Sequence, residues 1–144
     1  MSARDDDAIL ARELGRVGGS AGRWVGAGAG GYVGGWLGAR LIGNDTYEIA
    51  LLLRLPFGPA VGHCDATLRR LGTPHDDAET TENRATMRAL LGSGFLNLNP
   101  ALVTITVSRR DETTTEVTIR GVAKEGLIKQ RAGQKAAERV AAAL

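Results

Sequence analysis

The chain has 144 residues and a net charge of +2, from 18 Lys and Arg against 16 Asp and Glu; 43% of it is hydrophobic, 4% is aromatic and 20 residues are Gly. That composition suits a folded domain and excludes a disordered polyampholyte, a multi-span membrane protein, or an enzyme with separate cofactor and substrate domains. Cys64 is the sole cysteine, which excludes an intramolecular disulfide and a cysteine-built zinc site.

The chain opens with Asp5, Asp6 and Asp7 ahead of any apolar run. A secretory signal has the reverse order, so the expectation is a cytoplasmic protein without an export signal. The acids favour the positive end of a helix starting near Ala8, where Ile9, Leu10, Leu14 and Val17 recur at helical spacing.

Glycines then crowd together, with twelve of the twenty in residues 15–43. Gly18, Gly22, Gly26, Gly30, Gly34 and Gly38 keep a spacing of four, interleaved with Trp24, Val25, Tyr32, Val33, Trp36 and Leu37. This run resembles the glycine-zipper segments of bacterial membrane-associated and pore-forming proteins. The resemblance implies a helical arm that self-associates or meets a membrane, with the six zipper glycines, Trp24 and Trp36 at the interface. Glycine costs about 1 kcal/mol relative to Ala in a helix interior, so such a helix needs a partner. In return it offers a flat stripe that a second backbone can approach closely.

The uncharged stretch 24–39 would make roughly 24 Å of helix against a hydrocarbon core of about 30 Å. A single span is therefore short, and insertion as an oligomer is the form such a segment could take. Arg23 and Arg40 bracket it, where they could reach anionic headgroups. Two other readings of the run stay open: a glycine linker, and a core helix packed on the chain's own sheet.

From residue 44 the pattern is that of an α+β domain, giving a division into residues 1–43 and 44–144. Residues 47–55 alternate as a strand, with Tyr47, Ile49, Leu51, Leu53 and Leu55 on one face. Pro56 and Pro59 start a helix that runs to about Leu71 and closes at Gly72. Residues 73–83 are polar and hold Pro74, which predicts a loop. Strands follow over 84–91, 101–108 and 114–122, the last two joined by a turn. Residues 127–144 form an Ala-rich amphipathic helix. The expected domain is a two-layer β-α-β-β-β-α arrangement, an antiparallel sheet with both helices on its apolar face.

Candidate sites are few. His63, Cys64 and Asp65 are adjacent on a helix and point about 100° apart, so they do not converge by themselves. Cys64 lies at an apolar position between Val61 and Leu68, as a buried thiol would. Gly26 to Gly31 match GxGxxG without the preceding strand that a dinucleotide site requires. His75, Asp76, Asp77 and Glu79 lack an EF-hand's spacing. Phe95, Leu96 and Leu98 are apolar for a connection and are candidates for the rim of a pocket or interface.

The segment 120–144 carries six bases against two acids, and with Arg23 and Arg40 its Lys129 and Lys135 are candidates for an anionic surface. It lacks the aromatic residues that stack on bases, so nucleic acid is not the expected partner. No cofactor is implied. The first expectation is a non-enzymatic protein whose zipper arm mediates self-association or membrane contact. The alternative is a soluble module that holds an apolar small molecule on the concave face of its sheet, closed by the last helix and residues 95–98.

Overall fold

The computed structural model describes residues 6–14, 44–93, 99–124 and 130–144. Gly18, Gly22, Gly26, Gly30, Gly34, Gly38, Trp24, Trp36, Arg23, Arg40, Phe95, Leu96, Leu98 and Lys129 lie outside them, as does the expected helical arm over 15–43.

The described elements are helix α1 (6–14), strand β1 (Asn44–Leu53), helix α2 (Phe57–Leu71), strands β2 (Thr73–Thr80), β3 (Arg84–Ser93), β4 (Asn99–Arg109) and β5 (Thr115–Lys124), and helix α3 (Ala132–Ala141). The strands form one antiparallel sheet in the order β1-β5-β4-β3-β2. The fold is α+β, as its sequence pattern predicts. Alternation on β3, β4 and β5 sends Met87, Val103, Ile105, Val107, Val117 and Ile119 to one face, where all are buried. Phe57, Ala60, Cys64 and Leu68 of α2 and Ala132, Ala136, Ala137 and Val140 of α3 complete this core.

Three expectations are corrected. Residues 73–83 are not simply a loop, because β2 pairs with β3 from Thr73↔Leu90 to Thr80↔Ala85, with a register shift between His75 and Glu79. The domain is therefore β-α-β-β-β-β-α. Pro74 and the acids conceal β2 because it is an edge strand, where a missing ladder donor is tolerated and charge discourages further pairing. The second correction is that the sheet is not simply two-layered. Helix α1 lies on the opposite face, where Leu10 clusters with Leu102 and Val122. The last helix is also shorter than 127–144, since Gln130 and Arg131 precede it and Arg131 adopts a left-handed conformation with φ 52°.

Helix α3 lies close to the sheet because of paired glycines. A Cβ on Gly121 would collide with the Gly133 carbonyl, and one on Gly133 would meet the Asp45 carbonyl at 2.7 Å. Asp45 of β1 also accepts a hydrogen bond from the Gln134 backbone N–H at 3.2 Å, satisfying a first-turn donor that has no partner within the helix. Among the described residues, no helix is long and apolar enough to cross a membrane.

Candidate functional site

The buried charges of the described chain gather on the α1 face of the sheet. Strand register places His75, Arg88, Thr104, Arg120 and Glu48 side by side in one row, each on a successive strand. With strands about 4.8 Å apart, Arg88 and Arg120 stand roughly 10 Å apart and straddle the short side chain of Thr104. The neighbouring row is Leu90, Leu102 and Val122. Lys124 lies two pleats along β5 from Arg120.

Helix α1 fits this pattern of rows. Its buried residues are Asp6, Leu10 and Ala11, with Asp6 and Leu10 one turn apart on a single stripe. Leu10 covers the apolar row. Asp6 pairs with both arginines: Oδ1 lies 3.7 Å from a terminal nitrogen of Arg88, and Oδ2 accepts a hydrogen bond from Arg120 Nη1. Asp7 accepts one from Lys124 Nζ. The Asp6 and Arg88 side chains are 1% and 3% exposed, and Lys124 is 2% exposed. Burying such cations costs several kcal/mol apiece before pairing, and the two carboxylates offset that cost.

Beside this cluster a cleft of about 310 Å³ opens between α1 and the β2 edge, lined by Ala8, Ile9, Arg12, Glu13 and His75. It combines an apolar wall with charged and hydrogen-bonding groups, the usual make-up of a small-molecule site, at the lower end of the usual size. His75 connects the two features, since it lines the cleft and is the register partner of Arg88.

The residues that the sequence offers for catalysis separate. His63 Nε2 lies 2.9 Å from the Leu144 carbonyl, and Asp65 accepts a hydrogen bond from Arg69 at 2.7 Å. Cys64 is fully buried between them, and burial pushes its thiol up to about 11, so it stays protonated at neutral pH. Among the described residues, no three His, Cys, Asp or Glu side chains group as a metal site needs. Of the basic candidates, Lys135 is exposed on α3. Arg120 and Lys124, counted in the sequence with the basic C-terminal segment, instead point into the α1 face. Asp6 and Asp7, expected ahead of the first helix, lie within it and serve the sheet.

Among the described residues, the side chains of Ala89, Val103, Ile105 and Ile119 are buried on the other face of the sheet, under α2 and α3.

No family model matches the chain, and no curated protein matches it. Among solved structures it is similar to the human StarD13 (DLC2) lipid transfer and protein localization domain, at 10% identity over 68% of this chain and 76% of that one, with a TM-score of 0.35. It is also similar to the Zhui aromatase/cyclase from Streptomyces sp. R1128, at 10% identity over 70% and 84%, with a TM-score of 0.32. A third likeness is to Ara h 8.0201, at 12% identity over 70% and 95%, with a TM-score of 0.35.

Proposed function

We propose that this chain is a small-molecule-binding module whose ligand enters the cleft between α1 and the β2 edge. The observation that carries the reading is the cleft itself, about 310 Å³ in volume, in which Ala8, Ile9, Arg12 and Glu13 of α1 and His75 of β2 make up the described lining. Such a lining suits a ligand with an apolar body and a polar end. The reading is one of binding without turnover. In the same proposal, residues 15–43 form a separate self-association arm through Gly18, Gly22, Gly26, Gly30, Gly34 and Gly38. Replacing Gly26, Gly30 and Gly34 by Leu would then lower the mass measured by light scattering, and an unchanged mass would dismiss that role.

Calorimetric titration of the full chain with decanol and decanoate tests the cleft. Both should bind, and Ala8→Trp, which fills the cleft from an exposed helix position, should abolish the binding of both. Absence of binding to the unaltered chain, or full binding to Ala8→Trp, would overturn the proposal.

A further inference from the structure

Among the described residues, cations of two strands meet the carboxylates of a single short helix. Helix α1 has nine described residues and its own apolar contact through Leu10, yet three cations are held beneath it. A buried ion pair is weak evidence for stability, because an apolar replacement of similar volume often does as well or better. The arrangement does suit an oxyanion. Arg88 and Arg120 flank Thr104, with a gap about two strand spacings wide, and a carboxylate already occupies it. His75 leads from that gap to the cleft.

We propose that Arg88, Arg120 and Lys124 form a binding site for an anionic headgroup, which Asp6 and Asp7 occupy in the described state as stand-ins for the ligand's own carboxylate or phosphate. The proposal rests on the cleft reading and deepens it: the ligand is an amphipathic anion whose chain lies along Ala8 and Ile9 and whose head displaces Asp6 from between the two arginines. Guanidinium groups bind carboxylate and phosphate oxygens with charge-assisted hydrogen bonds about twice as strong as neutral ones. A tethered carboxylate competes at an effective concentration in the millimolar range or above, so it masks the site against weak anions. Removing the tethered acids should therefore raise affinity for a free anion without changing affinity for a neutral analogue.

The experiment compares decanoate, decyl phosphate and decanol by calorimetry on the full chain and two variants. Decanoate or decyl phosphate should bind the unaltered chain about tenfold more tightly than decanol, equal to ~1.4 kcal/mol. The stronger of the two identifies the headgroup. Asp6→Asn with Asp7→Asn should raise the anion's affinity about tenfold further and leave decanol unchanged. Should that variant fail to fold, Arg120→Gln, at a side chain 30% exposed, reads the same site from the other side. It should bring the anion down to the level of decanol. If decanol and both anions bind alike in every folded variant, the headgroup site is refuted while the cleft stands. If none of the three binds the unaltered chain, the cleft reading fails as well.

Discussion

The two faces of the sheet are closed in different ways. The α2 and α3 face is sealed by apolar contact and by backbone proximity, with Gly121 against Gly133 and a continuous cluster from Phe57 to Val140. Among the described residues, the α1 face is covered by one short helix with three buried residues, one of which is a carboxylate. Dispersion and hydrophobic burial leave nothing for a ligand to replace unless the core itself is repacked. An ion pair, by contrast, can exchange one oxyanion for another with the same geometry. The first closure makes a fixed scaffold, and the second makes a replaceable cover.

The largest expected effect is on the fixed face. Gly121→Ala pushes a methyl group into the Gly133 carbonyl and should cost about 3 kcal/mol in urea-induced unfolding, with α3 forced off the sheet. A cost near zero would mean that α3 adjusts freely and that the two faces do not differ in this way.

The next effect should stay local. Asp6→Ala removes the carboxylate from Arg88 and Arg120, and breaking a buried pair is destabilising. Helix α1 can undock instead of unfolding the domain, so amide exchange over residues 6–14 should accelerate about tenfold or more while β4 keeps its protection. Equal acceleration in both would make α1 part of the scaffold rather than a cover.

A smaller effect depends on pH and marks the dry face. Burial raises the Cys64 thiol from 9.0 to about 11. Between those values the unfolded chain has released the proton that the folded chain still holds, so stability falls as pH rises through the window. Cys64→Ala should make the slope of unfolding free energy against pH shallower there; an unchanged slope would place the thiol in water. The smallest effect is expected at the Asp65–Arg69 pair, whose side chains are 45% and 63% exposed. Arg69→Ala should leave the urea midpoint where it is, because solvent screens such a pair.

The same contrast explains what the sequence made legible. The fixed face follows from pattern: Val103, Ile105 and Val107 alternate with polar residues, Pro56 marks the start of α2, and Ala132 to Val140 form a stripe. Those signals are local and periodic. Strand β2 escaped because an edge strand bearing Pro74 and acids has no apolar alternation to show. The candidate site escaped for a different reason. Arg88, Arg120 and Lys124 come from two strands, and Asp6 and Asp7 are more than eighty residues away, so only the strand register brings them together. A hint was available in Thr118, Arg120, Val122 and Lys124, whose alternation puts two cations on the face opposite Val117 and Ile119. That face needed acids, and the chain begins with three.

The most direct test of the replaceable cover is an NMR titration of the full chain with decanoate, following backbone amides and methyl groups. The account predicts shifts centred on residues 6–14, His75, Arg88, Thr104 and Arg120, with Ile105, Ile119 and Val140 unmoved. Shifts centred on Ile105, Ile119 and Val140, with residues 6–14 unmoved, would place the ligand under α2 and α3 and contradict it.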